Sequence, residues 1–276
     1  MTNRIAALLA LAGDATGELR RDAEVLLCHV LQKPRSYLYT WPEQELDPAQ
    51  AAAFRKVLAA RREGAPVAYL TGTREFWSLA LQVTSDTLIP RPETERLVEI
   101  ALGLPLPDEA LVVDLGTGSG AVALALASER RNWRISAVDR SEDALAVARD
   151  NAERLGLAVR CLAGDWFKPV QGEAFDLVVS NPPYLDADDP HLGEGDLRFE
   201  PRDALVARGG ALAAIETIAN SAPAQLRSGG WLLFEHGCEQ GEAVATILRE
   251  AGFSGVQTWQ DIAGLDRVSG GQWEAP

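Results

Sequence analysis

Long apolar runs, cysteine, histidine and surplus positive charge are all scarce in this chain of 276 residues. No stretch approaches the ~18 apolar residues a membrane helix needs. Ile5–Ala12 looks like a short secretory core, and Ala10-Leu11-Ala12 mimics a cleavage site. Cleavage there would leave a signal shorter than the usual ~15–30 residues, so the segment reads as the first turns of a helix in a cytoplasmic protein. The three cysteines, Cys28, Cys161 and Cys238, are odd in number, far apart and without a C-x-x-C pair. They imply a reducing compartment and no zinc site, with Cys161 and Cys238 expected as small buried hydrophobes. His29 and His191 have no neighbour suggesting a proton relay, and His236 reads as structural. Net charge is −14, and residues 81–276 carry −15 against +1 for residues 1–80. Such a chain is a poor binder of nucleic acid or an anionic membrane surface. Disorder and collagen-like architecture are excluded by 47% hydrophobic and 24% charged residues, close to globular averages.

Length suggests two domains, and the hydrophobic period agrees. Residues 1–65 have helical spacing: Ile5, Leu8, Leu9 and Ala12, then Ala23, Leu26, Leu27, Val30 and Leu31. Asp14-Ala15-Thr16-Gly17 is the expected turn between them. Asp47-Pro48 opens a further helix to about Arg62, stopped at Gly64-Ala65-Pro66. At Leu79, Leu81 and Val83 the period changes to two, a strand pattern, followed by the extended Leu88–Glu95. Beyond Asp108, strands (111–115, 134–138, 159–162, 175–180, 230–235) alternate with helices (121–128, 142–155, 211–226, 239–251). Residues 256–259 and 265–268 are two further candidate strands. The expectation is an α/β fold, a Rossmann-like, doubly wound, mostly parallel seven-stranded sheet, preceded by a small helical N-terminal domain. Its parts are residues 1–75, a hairpin and proline-rich linker over 76–91, and the sheet domain over 92–276. Ligands in such sheets bind at the C-terminal strand ends.

Two motifs fall at such ends. The first is Asp114-Leu115-Gly116-Thr117-Gly118-Ser119-Gly120, which joins an apolar strand to a helix and lets a ligand approach the backbone. Gly116, Gly118 and Ala121 also fit a dinucleotide fingerprint, and Asp139 ends the next strand where either nucleotide class places an acid on ribose hydroxyls. Asp114 tilts the choice toward an S-adenosylmethionine-type methyl donor, because an acid there suits a cationic amino-acid end and would repel a pyrophosphate. The second motif is Ser180-Asn181-Pro182-Pro183-Tyr184. Two prolines fix φ and remove two donors, leaving a rigid cluster of carbonyl acceptors for a substrate NH₂ group. Tyr184 can stack on a planar group. A planar amide nitrogen is a poor nucleophile, its delocalisation reported by a rotation barrier of ~18–20 kcal/mol. Alignment, which can supply ~7–11 kcal/mol, is the available route.

Together these residues resemble the class I S-adenosylmethionine-dependent methyltransferases acting on planar NH₂ groups, and within them the release-factor glutamine methyltransferase family. Leu88–Glu95, Phe199-Glu200-Pro201 with Ala204-Leu205 and Gly209-Gly210, Glu235-His236-Gly237 with Gln240-Gly241, and Asp261 to Val268 extend the likeness over nearly the whole chain. Leu265 and Ala211 depart from it. The resemblance implies methylation of the glutamine amide in the Gly-Gly-Gln motif of peptide chain release factors, with the N-terminal helices recognising substrate. It further implies that Gly116–Gly120, with Thr117, Gly118 and Ser119 between, wrap the methionine part of the donor. Asp139 would hold the ribose, and Asp165 and Trp166 the adenine. Asn181 and Pro182 would grip the amide in a slot shaped by Pro183 and Tyr184. A monomer is expected, with no direct nucleic-acid binding. A ribosomal-protein glutamine or an adenine amino group would present the same planar NH₂, and a nicotinamide-binding oxidoreductase would use the same glycine loop but leave Asn181–Tyr184 without purpose. Trp166 reads equally as a core aromatic, Arg91 as a donor contact or a solvated charge, and Glu200 as a surface charge or an ordering group. Gly270-Gly271-Gln272 reads as a chance occurrence in a loose tail, with self-methylation of Gln272 the alternative.

Overall fold

In the computed structural model, residues 2–13 and 17–275 are described; Asp14-Ala15-Thr16 of the expected turn lie outside them. The chain divides into two compact units, Met1–Thr73 with Gly193–Phe199, and Arg74–Leu192 with Glu200–Pro276.

The first unit is helical: α1 (Ile5–Ala10), α2 (Glu18–Leu31), α3 (Arg35–Thr40), α4 (Pro48–Arg62) and α5 (Val67–Thr71). Asp47 caps α4 by accepting the Ala49 and Gln50 N–H groups at 2.8 and 3.0 Å, and Pro48 occupies the first helical position, where its missing donor costs nothing. The helices close on a core of Ile5, Leu8, Leu26, Leu27, Phe54 and Leu58. Buried Glu24 accepts hydrogen bonds from Tyr39, Arg35 and Arg20. Burial pushes its carboxyl up, but these three donors outweigh that and hold it below the usual range. Segment 193–199 belongs to this unit, where Asp196 lies 3.3 Å from Arg61 Nη1.

The second unit begins with the hairpin of β1 (Thr73–Phe76) and β2 (Leu79–Gln82). Its strands are then β3 (Leu111–Leu115), β4 (Arg134–Asp139), β5 (Val159–Ala163), β6 (Phe175–Ser180), β7 (Leu226–Glu235), β8 (Ser254–Gln260) and β9 (Asp266–Trp273). They form one seven-stranded sheet in the order β5-β4-β3-β6-β7-β9-β8, parallel from β5 to β7 with β9 and β8 antiparallel. Its helices are α6 (Glu95–Gly103), α7 (Ala121–Glu129), α8 (Glu142–Leu155), α9 (Arg202–Leu205), α10 (Ala213–Ser221) and α11 (Gly241–Glu250). This is the doubly wound, mostly parallel sheet expected. Successive side chains of β3 and β6 alternate between two cores, Val112, Leu177 and Val179 on one face, Val113 and Val178 on the other, as the pleat requires. Helix α7 is buried from Ala121 to Ala127, so its sequence is apolar all round. Among the described residues no helix is long and apolar enough to cross a membrane.

Three expectations are corrected. The helix over 211–226 is shorter, Ala213–Ser221, with a 3₁₀ turn at Ala222–Ala224; Pro223 cannot donate to the preceding turn, and Leu226 already pairs with Phe175 in the sheet. Cys238 is exposed and Cys161 is half-buried; Cys238 sits in the turn after β7, not in a core. Gly270-Gly271-Gln272 is no loose tail: it lies within β9, paired with Leu233, Leu232 and Trp231 of β7. Both glycines are buried, and the Gln272 side-chain amide donates to the Gly229 carbonyl at 2.9 Å.

Candidate active site

A cavity of about 770 Å³ lies in the sheet unit at the C-terminal ends of the parallel strands, the expected place for a ligand in this topology and within the range of small-molecule sites. Two chain reversals build its floor. At the end of β3 the loop turns under the tip of β4, the Gly116 and Thr117 N–H groups donating to the Val138 carbonyl at 2.8 and 3.0 Å. Gly116 has φ +76°, a region costly for other residues. A Cβ there would stand 3.6 Å from the Trp166 ring and 3.9 Å from the Asn181 carbonyl oxygen. Three separate sequence segments thus meet around one glycine. Gly120, φ +86°, would press a Cβ to 3.0 Å from Leu124 and 3.3 Å from Ala148, so its role is close packing of the loop on α7 and α8. Asn151, fully buried, ties the loop down further by donating to the Ser119 and Gln82 carbonyls and accepting the Gln82 N–H.

Of the residues singled out for the ligand, Gly116, Gly118, Asp139, Asp165, Trp166, Asn181 and Pro183 line the cavity. Asp139 ends β4 and accepts the Gly118 N–H on one carboxylate oxygen and the Ser141 N–H on the other, both at 2.9 Å. This holds the carboxylate at the rim while leaving lone pairs for further donors. Trp166 lines the cavity and also packs on the core below it. Its φ of +50° is rare for a bulky residue and is found where surrounding structure enforces it. Asp165 carries Lys168 at 2.9 Å.

Asp114, Thr117, Ser119 and Gly120 stand behind this wall. Asp114 is 2% exposed and accepts the Thr117 hydroxyl at 2.6 Å and the Ala123 N–H at 3.2 Å. Burial pushes its carboxyl up to about 7, against the pull of those two donors. The geometry makes it a brace for the loop, its Oδ2 taken by Thr117 and Ala123.

The second reversal is Asn181–Tyr184 at the end of β6. Ser180 anchors it, its hydroxyl donating to the Leu115 carbonyl at 2.7 Å. Gln240 holds the far end: its side-chain NH₂ donates to the Tyr184 carbonyl at 3.0 Å, and its oxygen accepts the Gly237 N–H at 2.9 Å. Burial pushes the Tyr184 phenol up to about 12, with Glu235 adding to the effect, so it stays neutral. The Asn181 side-chain NH₂ faces the Thr94 hydroxyl at 3.4 Å, placing its oxygen on the opposite side of the amide.

Around the motif stand residues that the sequence left open or passed over. Glu200 is buried; it accepts the Ile89 N–H at 3.0 Å and pairs with Arg91. Arg91 is therefore not a free solvated charge but a strap between the proline-rich segment and the chain after the motif. His236 is fully buried, its ring nitrogens bonded to the Gly237 carbonyl and the Ser269 hydroxyl at 2.9 and 2.8 Å, and burial lowers its pKa. Thr94 and Glu235, both buried beside Asn181, fall in segments that carried the family resemblance, Leu88–Glu95 and Glu235-His236-Gly237, but no role at the motif was assigned to either. The position of Glu235 at the C-terminal end of the strand next to β6 is the signal that could have pointed to its role.

Two family models match the chain: the PrmC N-terminal domain over residues 2–72 and the methyltransferase small domain over residues 100–212. The chain is 53% identical over 255 residues to the release factor glutamine methyltransferase of Vibrio cholerae, covering 92% of this chain and 89% of that protein. It is 51% identical to that of Pseudomonas aeruginosa, covering 92% of each, and 49% identical to that of Xylella fastidiosa, covering 96% and 97%. Among solved structures, a methyltransferase from Pyrococcus furiosus matches with TM-score 0.54 and 17% identity over 82% of this chain and 99% of that one. A 16S rRNA methyltransferase of T. Thermophilus, solved in complex with AdoMet and guanosine, matches with TM-score 0.51 and 22% identity over 72% and 49%. The structural likenesses show the fold alone. The relatives show more: this chain belongs to the release factor glutamine methyltransferase family and is a methyltransferase.

Proposed function

We propose that the chain transfers a methyl group from S-adenosylmethionine to the side-chain amide nitrogen of the glutamine in the Gly-Gly-Gln motif of peptide chain release factors. The observation that carries this reading is the meeting of Gly116, Trp166 and the Asn181 carbonyl in one cavity, in a chain about half identical to proteins named for that reaction.

The residues present fit the donor. The rim carboxylate of Asp139 suits a pair of vicinal hydroxyls, Trp166 offers a ring face with Asp165 beside it, and the bare Cα atoms of Gly116 and Gly118 leave space at the floor. When bound, the donor supplies an electrophilic methyl on a sulfonium. Everything else falls to the chain. The Asn181 side-chain oxygen and the Pro182 carbonyl accept the two N–H bonds of the substrate amide, which turns the nitrogen lone pair into the cavity. Pro182 and Pro183 have no N–H to compete for those carbonyls. As the new N–CH₃ bond forms and the sulfur departs as a neutral thioether, the amide nitrogen becomes cationic; that cation is a far stronger acid than the neutral amide and loses one proton to water without a dedicated base, leaving the neutral N-methyl amide. Orientation replaces deprotonation, the larger part of the barrier reduction coming from alignment, ~7–11 kcal/mol at best.

The test is transfer of labelled methyl to a purified peptide release factor and to a copy with the Gly-Gly-Gln glutamine changed to alanine. Label on the first alone is expected. Label on both, or on neither while ribosomal protein or adenine-containing nucleic acid is labelled, would overturn the assignment.

A further inference from the structure

Glu235 is a buried acid at the motif whose burial the methyl transfer described above does not explain. It ends β7, next to β6 in the sheet, and is 1% exposed. Its Oε2 has no hydrogen-bond partner among the described residues. A carboxyl buried with an unpartnered oxygen is costly, and an apolar residue would continue Leu232-Leu233-Phe234 more cheaply. What lies against the carboxyl is informative: the Thr94 hydroxyl and the Asn181 side-chain amide both favour its ionised form, and those two side chains face each other at 3.4 Å. Charged or titratable groups face it from each packed element, Glu93 beside Thr94, Tyr184 after the motif, and Arg267 on β9.

A side-chain amide has two ends of similar shape and opposite polarity, so an asparagine that must present its oxygen needs something to prevent a half-turn. Thr94 can do this only if its single hydroxyl hydrogen is committed elsewhere. A threonine whose proton goes to a carboxylate can only accept on its other side, and what it then faces must be an NH₂ group. The Asn181 NH₂ does face the Thr94 oxygen, at 3.4 Å.

We infer that Glu235 is a positioning residue: through the Thr94 hydroxyl and its own contact with the Asn181 NH₂, it locks the Asn181 amide with its oxygen turned toward the substrate. The lock is strongest with the carboxyl ionised, since charge-assisted hydrogen bonds are about twice as strong as neutral ones. Burial, foremost, and Glu93 push the Glu235 carboxyl up to about 7, while Thr94, Arg267 and Asn181 pull it down. Ionisation of the carboxyl would therefore strengthen the lock.

The inference rests on the proposed glutamine reaction only for its activity readout, and a direct spectroscopic readout does not depend on it. In the full chain with the donor bound, the ¹⁵N–¹H signals of the Asn181 side-chain NH₂, assigned by their loss in Asn181→Ala, are followed from pH 5.5 to 8.5. They are expected to titrate in the wild type and to stay flat in Glu235→Gln, whose side-chain oxygen still accepts from Thr94 but cannot ionise. Turnover is measured on release factor in parallel. Glu235→Ala and Thr94→Val should each lower kcat about tenfold or more, the loss of one charge-assisted bond, with donor affinity measured by calorimetry unchanged. Glu235→Gln should recover most of kcat and lose the acid limb of its pH profile. Asn181 signals that do not titrate, or an Ala variant that binds donor and turns over normally, would overturn the inference. So would a Gln variant that binds donor yet is as slow as Ala. If no variant, wild type included, methylates release factor while the Asn181 signals titrate as described, it is the substrate assignment that fails and not the lock.

Discussion

Gly270→Ala tests the claim that the Gly-Gly-Gln of this chain is a packing device in its own sheet. Gly270 faces Leu233 across the β7–β9 ladder. An added Cβ would fall 2.3 Å from Leu233 Cδ2, 2.7 Å from the Leu232 carbonyl oxygen and 3.4 Å from the Trp259 ring. The leucine methyl can rotate away. The carbonyl oxygen belongs to a strand inside a seven-stranded sheet and cannot retreat without opening the ladder. Overpacking of well-filled sites costs ~1–3 kcal/mol, and a backbone obstacle places this substitution at the upper end. Loss of unfolded-chain freedom returns ~0.4–1 kcal/mol. The expected net loss is therefore about 2 kcal/mol, which lowers the melting temperature by roughly 4–8 °C for a chain of this size. Melting followed by tryptophan fluorescence reads it, since Trp231, Trp259 and Trp273 all lie in or beside the affected strands. Gln272→Ala is the companion: it gives up one hydrogen bond to the Gly229 carbonyl and should cost only about 1 kcal/mol. The intact mass with donor should show no methyl added at Gln272. A Gly270→Ala chain melting at or above the wild-type temperature would refute the packing argument.

Two further outcomes follow from buried polar groups behind the cavity wall. Asn151→Ala strips the Ser119 carbonyl and both backbone groups of Gln82 of their partner; it should lose about 2–4 kcal/mol in urea unfolding and weaken donor binding, and a loss under ~0.5 kcal/mol would contradict that role. Asp114, raised from 3.8 to about 7 mainly by burial, holds in the folded chain a proton that the unfolded chain releases. Its contribution to stability therefore falls as pH rises from 3.8 to about 7, and is fully lost above. Asp114→Asn should remove roughly 2 kcal/mol of the stability change between pH 5 and pH 8, and an unchanged difference would contradict the burial.

The parts of the fold that could be read from the sequence are those whose cause is local. The strand–glycine–helix turn at 111–121 and the double proline at 182–183 announce themselves because the backbone geometry they require is written into adjacent residues. Strand and helix alternation from 111 to 180 likewise gave the parallel sheet. What was misread depends on distant partners. Gly270 and Gly271 resemble a loose tail until Leu232 and Leu233 are seen pressed against them. Leu226 looks like the last residue of a helix until Phe175 pairs with it in the sheet. Arg91 and Glu200, 109 residues apart, give no sign of being one ion pair. Asp114 carries a role its charge did not announce: the fold buries it against Thr117 and the start of α7, where it braces the glycine loop. Glu235 ends an apolar strand, where an acid ordinarily marks the return to solvent.

The central claim is that Asn181 orients the substrate amide and does not merely shape the cavity. Asn181→Ala, with methyl transfer to release factor and donor affinity measured on the same preparation, tests it most directly. Expected is a fall in kcat of about a hundredfold or more, the scale seen when one preorganised polar contact to a reacting group is removed, with donor affinity within about tenfold of wild type. Turnover near the wild-type rate, or donor binding lost in proportion to activity, would contradict it.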